Sequence, residues 1–164
     1  MSFLRSRLVN LYIFLFCALM MAVAYYMQYA MRLEPCALCI MQRVFFVAAG
    51  LWALAAFLHN PAARGKLVYG IGSVILPLAG SGFALRQIWL QHLPKDQVPA
   101  CGPSLGYMLE EFPLSEVLSV MFSGDGNCAE VLWVDPVLGL GIPQWAVVGF
   151  AMLAATGVWQ ILRK

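Results

Sequence analysis

The chain is short of charge. Only 11% of its 164 residues are Asp, Glu, Lys or Arg, while 62% are hydrophobic. A soluble domain carries about 25% charged residues. So few charges could not cover a water-soluble fold of this length, and the bilayer is the natural solvent. Basic residues interleaved with aromatics on a polar face are also lacking, which argues against nucleic acid. No G-x-G-x-x-G follows a strand-like run, and no soluble segment could hold a flavin or nucleotide. Internal repeats, low-complexity tracts and flexible linkers are missing as well.

What the chain does have is four apolar segments, at residues 9–29, 40–58, 67–90 and 143–162. Each approaches the ~20 residues needed to cross a bilayer. The third contains Pro77 and the glycines Gly70, Gly72, Gly80 and Gly82. Membrane helices tolerate these residues, and the glycines suit close helix approach. The expectation is an all-α membrane protein. Residues 1–164 form a single integral membrane domain, a four-transmembrane-helix bundle with both termini on one side. Arg5 and Arg7 before an apolar run, then "AVA" at positions 22–24, have the form of a cleavable signal. Tyr25 to Tyr29 prolong the apolar stretch, so it is read as a span.

Charge sets the orientation. Arg5, Arg7, Arg64, Lys66, Arg163 and Lys164 flank one side. The other side carries Arg32, Arg43, Arg86 and Lys95 together with every acidic residue, from Glu34 to Asp135. A Lys/Arg excess in short flanks marks the cytoplasmic side. Both termini and the loop "HNPAARGK" are therefore expected inside, and loops 30–39 and 91–142 outside. Trp89 and Trp145 are expected at the outer interface, where Trp is favoured. In the long outer loop, "FPLSEVLSVMF" spaces Leu114, Val117, Leu118 and Met121 at helical intervals. That pattern predicts a short amphipathic helix able to lie on the bilayer or pack on the bundle.

Of the five cysteines, Cys17 lies within the first span and reads as a small packing residue. Cys36 and Cys39 lie in the first outer loop, and Cys101 and Cys128 in the second. Three readings fit these four: structural disulfides, a zinc site, or a dithiol relay. A staple across C-x-x-C closes too short a loop to stabilise much, and an oxidising face disfavours four thiolates kept reduced for zinc. The surroundings favour the relay. Pro35 can begin a helix whose positive end faces the sulfurs. Arg43 follows Cys39 by one helical turn. A guanidinium at that depth either snorkels or stabilises the Cys39 thiolate and an anionic, reduced acceptor. A lipid-soluble quinone suits such a location. Cys101 follows the proline-punctuated "LPKDQVPA", expected to be mobile and exposed. Cys128 follows "SGDGN", expected to give it freedom to move toward Cys36. His92, just past the third span, is either an interfacial residue or a contact for the quinone head group.

The ordered set "PCALCIMQR", "RQIWLQHLP", "ACGPSLGYM", "GDGNCAE" and "IPQW" resembles the DsbB-type disulfide bond formation proteins of bacterial inner membranes, over nearly the whole chain. The resemblance implies a membrane thiol oxidase, monomeric, that reoxidises a periplasmic DsbA-like thioredoxin-fold protein. It passes the electrons to quinone, ubiquinone first and menaquinone as the alternative. Cys101 and Cys128 match the pair that meets the partner. Cys36 and Cys39 match the quinone-linked pair, Arg43 the quinone-site arginine, and His92 a histidine of that region. By the same resemblance Cys128 attacks Cys36 during turnover. The chain departs from the family where an acidic residue can precede the arginine: it has Gln42. The alternatives are a homologue dedicated to one partner and a non-enzymatic membrane protein with two structural disulfides.

Overall fold

A computed structural model describes residues 2–61, 63–103 and 105–162. Arg163 and Lys164 lie outside the described residues, as do the side chains of Arg5 and Arg64. The elements run α1 (Ser2–Ala30), α2 (Ala37–His59), α3 (Ala63–Gln91), α4 (Leu105–Glu111), α5 (Leu114–Ser123), a 3₁₀ turn (Gly126–Ala129) and α6 (Ile142–Leu162). The helices α1, α2, α3 and α6 are long and apolar enough to cross a membrane, as a multi-pass membrane protein requires. Each expected apolar segment lies within one of them. Many large apolar side chains point outward, among them Leu19, Leu51, Ile75 and Met152. Lipid rather than water is the solvent for such a surface.

Consecutive spans pack side by side, and α3 packs along α6. Small residues make the close approaches. A Cβ built on Gly80 would stand 2.4 Å from Phe150 Cζ, and one on Gly70 would stand 2.7 Å from Ile161 Cγ1. On the facing helix, a Cβ at Gly157 would meet Ser73 O at 2.8 Å. Gly72 makes room for the Trp52 indole of α2. A Cβ built on Gly82 would meet nothing within 4 Å among the described residues, so Gly70, Gly72 and Gly80 serve helix packing and Gly82 does not. At mid-bundle, Phe46 and Phe150 stack with ring centroids 4.0 Å apart. Cys17 is buried among Ile13, Phe46 and Ala49 in this core, consistent with a packing role.

The cysteine-bearing end of the bundle is capped by the long connection between α3 and α6. The expected amphipathic helix is α5. Its Val117 is buried, while Leu114, Leu118 and Phe122 stay exposed, so the helix both packs on α2 and presents an apolar face outward. Helix α4 was not expected, because "LGYMLEE" is short and contains glycine; its Met108 is buried. Trp89 is exposed and lies under the Arg86 guanidinium at 4.4 Å. At the opposite end Arg7 donates to Phe57 O at 3.2 Å.

Gly80→Val should force Phe150 out of the Phe46 stack, an overpacking cost of roughly 1–3 kcal/mol. Gly82→Val, with open space around it, should be close to neutral. Thermal unfolding of the detergent-solubilised variants checks this, with a lowered midpoint expected only for Gly80→Val.

Candidate functional site

The first turn of α2 positions the C-x-x-C pair. Cys36 is the N-cap, with extended backbone (φ −72°, ψ 170°), and the helix begins at Ala37. Pro35 therefore precedes the cap rather than opening the helix. It still disfavours helical geometry for Glu34 before it. Cys39 sits inside the first turn rather than in the loop, and its Sγ lies 3.0 Å from Cys36 Sγ.

A third sulfur joins them. Cys128, fully buried on the 3₁₀ turn, packs with Cys36. Its surroundings give the first glycine of "SGDGN" a packing role beside the expected approach of Cys128 to Cys36. Gly124 adopts φ +79°, and a Cβ there would stand 2.8 Å from both Leu38 Cδ1 and Leu90 Cδ1. The glycine lets the chain wedge against two fully buried leucines of α2 and α3. Cys128 Sγ donates to Asp125 Oδ1 at 3.3 Å, and Asn127 Nδ2 donates to Asp125 Oδ2 at 2.8 Å. Asn127 Nδ2 also bonds Gly102 O at 3.0 Å, and Gly126 N bonds Ala100 O at 3.2 Å. These bonds tie the turn to the strand of chain carrying Cys101. Cys101 itself is exposed, as expected.

The two loop thiols differ in acidity. Hydrogen bonding with Cys128 and Cys39, then burial, pushes the Cys36 thiol far up. Cys128 is pulled down, first by the hydrogen bond from Cys36 and then by the backbone N–H groups of Leu38 and Asp125. Burial and the Asp125 carboxylate oppose this. The shared hydrogen bond thus eases ionisation at Cys128 and hinders it at Cys36. A thiolate is the attacking form in exchange.

One turn below Cys39, Arg43 reaches across to α1. It donates to Gln28 Oε1 and, at 3.3 Å, to Ala24 O, and it lies 5.5 Å from the Tyr25 ring centre. Between α1, α2 and the start of α6 is a cavity of about 350 Å³. Cys39 and Arg43 line it together with Met20, Met21, Phe46, Leu132 and Trp145. Glu34 and Asp135 also border it. Its walls are mainly apolar, with one guanidinium, one thiol, the Gln28 and Gln42 amides and these two carboxylates as its polar groups, which suits a flat hydrophobic ligand with polar oxygens. His92 does not line this cavity. It is exposed, and its Nδ1 sits 2.7 Å from Ile88 O.

Two functional candidates escaped the sequence reading. Gln87 of α3 is buried and places Nε2 3.4 Å from Cys36 Sγ and 3.2 Å from Cys39 Sγ. Gln42 of α2, also buried, donates to Gln87 Oε1 at 2.7 Å. Their signal was available in principle: a polar amide inside an apolar span needs a partner. The identity of that partner depends on how α2 and α3 pack.

A family model described as disulfide bond formation protein DsbB matches residues 6–160. Disulfide bond formation protein B of Saccharophagus degradans is 50% identical over 158 residues, covering 96% of this chain and 94% of that one. The Hahella chejuensis protein of the same name is 51% identical over 158 residues, covering 96% and 93%. Disulfide bond formation protein B 1 of Pseudomonas aeruginosa is 38% identical over 164 residues, covering 100% and 99%.

Because Gly124 holds the turn that buries Cys128, Gly124→Ala should open it. Alkylation of Cys128 by a maleimide in the reduced protein should rise roughly tenfold through local opening, with Cys101 labelling unchanged. Peptide mass spectrometry over a labelling time course reads both.

Proposed function

The chain belongs to the DsbB family of disulfide bond formation proteins, and on that premise we propose that it is a quinone-dependent thiol oxidase reoxidising a DsbA-like dithiol protein. Disulfide oxidoreduction follows from the family; the acceptor, the partner and the route through the cysteines are this proposal. The observation that carries it is the meeting of Cys36, Cys39 and Cys128 beside a cavity that Cys39 and Arg43 line.

Exchange proceeds by attack of a thiolate on a disulfide sulfur. A thiolate of the partner attacks Cys101, the exposed cysteine, breaks the Cys101–Cys128 disulfide and releases Cys128 as thiolate. Cys128 attacks the adjacent Cys36, breaks Cys36–Cys39 and leaves Cys39 as thiolate. The partner's second thiol attacks its own cysteine in the mixed disulfide, frees Cys101 and departs oxidised. Cys101 then attacks Cys128 and restores the outer disulfide. The two electrons now reside in the Cys36 and Cys39 dithiol.

The cavity fits a quinone. Its volume of about 350 Å³ accepts a ring, its walls are mainly apolar, and Arg43 offers a cation to a ring oxygen. Arg43 and Cys39 would hold it, and either ubiquinone or menaquinone meets these requirements. When bound, a quinone supplies two-electron, two-proton acceptance, which returns Cys36–Cys39 to the disulfide. Gln28 and the Ala24 carbonyl hold Arg43 at this depth, and Leu132 and Trp145 form part of the apolar wall beside it. Arg7 and Lys66 mark the opposite end of the bundle, which supports placing that end in the cytoplasm of an inner-membrane protein. The cysteine loops then face the periplasm, where such a partner resides.

With a reduced thioredoxin-fold partner, the purified protein should reduce a soluble ubiquinone analogue. Cys39→Ser should abolish that turnover, and normal turnover would refute the route. Arg43→Met should raise the KM for the analogue roughly tenfold, the loss of about one charged hydrogen bond, with the KM for the partner unchanged. An equal loss toward both substrates would make Arg43 merely structural.

A further inference from the structure

We propose that Gln87 is a catalytic residue of the thiol relay and that Gln42 is its positioning residue: a buried amide pair that gives both sulfurs of the C-x-x-C a hydrogen-bond donor inside the membrane. This rests on the relay proposed above, but its geometry stands apart from quinone and partner. Gln87 Nε2 lies 3.2 Å from Cys39 Sγ and 3.4 Å from Cys36 Sγ. A glutamine amide has two N–H donors, and here there is one for each sulfur. The carbonyl of the same amide is capped by Gln42 Nε2 at 2.7 Å.

That cap gives the pair its direction. An amide can present either end to a neighbour, and the choice is made by its hydrogen bonds. Gln42 donates to the Gln87 oxygen, so the Gln87 NH₂ faces the sulfurs. While Cys39 carries a proton, its S–H can also point toward Gln87 Oε1 at 3.5 Å. Once Cys39 becomes a thiolate it can only accept, and the Nε2 contact becomes charge-assisted and stronger. The amide therefore favours the charged form that the relay leaves on Cys39, where water is scarce. Both side chains are at least nine-tenths buried, so solvent does not compete for these bonds. It follows that a neutral residue at position 42 is suited to this work. An ionised carboxylate there would accept from Gln87 and turn its oxygen toward the sulfurs.

The test uses reduced full-length protein in detergent and reads the rate of Cys39 alkylation by iodoacetamide, located by peptide mass spectrometry. Only the thiolate reacts. In Gln87→Met the rate at pH 6 should fall about tenfold, the loss of one hydrogen bond to a charged group. The plateau rate at strongly alkaline pH, where every thiol is ionised, should stay within about twofold. Gln42→Met, which leaves Gln87 in place but unlocks its orientation, should slow the pH 6 rate by a smaller factor with the same plateau. It serves as the deciding variant should Gln87→Met not fold. Equal slowing at both pH values, or no change at pH 6, would overturn the proposal. The readout needs neither quinone nor partner. A failed amide pair and a failed relay are therefore told apart, since the second would appear as wild-type protein that alkylates normally yet reduces no quinone.

Discussion

Cys36 has two sulfur neighbours, and the architecture around it serves to keep both within reach. Cys39 is placed by the first turn of α2, which no loop motion can separate from Cys36. Cys128 comes from the far end of a long connection, and holding it there takes more. Leu38 and Leu90 form an apolar floor on α2 and α3. Gly124 lies directly on that floor in a conformation few other residues adopt. Asp125 and Asn127 then fasten the turn to the segment bearing Cys101. The result joins an exposed sulfur at the surface to a buried pair at the membrane edge.

Burial of this kind has a cost, because polar groups within an apolar bundle must find partners. Within the spans the chain meets it with amides and a guanidinium, and in the capping turn with the Asp125 carboxylate. Gln42 and Gln87 satisfy one another and the sulfurs, while Arg43 spends its donors on α1. These bonds link α2 to α3 beside the thiols and α2 to α1 one turn below them. The cavity beside them lies between α1 and the start of α6. Its walls are thus supplied by helices that the site's own hydrogen bonds help to align.

Much of this is legible in the sequence. Long apolar runs cannot be anything but spans at this charge density, and the i, i+3, i+4 spacing of Leu114, Val117 and Leu118 defined α5. The placement of Arg43 one turn below Cys39 followed from helix geometry alone. What stayed hidden depends on contacts between distant segments. Glycines in "SGDGN" read as freedom because sequence does not reveal the leucines they press against. Gln87 drew no assignment from the sequence, because its partners lie 45 residues or more away along the chain. His92, read as an interfacial residue or a head-group contact, sits exposed with its ring against the Ile88 carbonyl, a placement that depends on its own rotamer rather than on sequence spacing.

The central claim is that Cys36 is shared between Cys39 and Cys128. Disulfide mapping tests it most directly: mix oxidised protein with a substoichiometric reduced partner, quench in acid within the first turnover, and identify linked peptides by mass spectrometry. A transient Cys36–Cys128 link with Cys39 free is the predicted result. Finding only Cys36–Cys39 and Cys101–Cys128 links at every time point, while the partner is being oxidised, would contradict it.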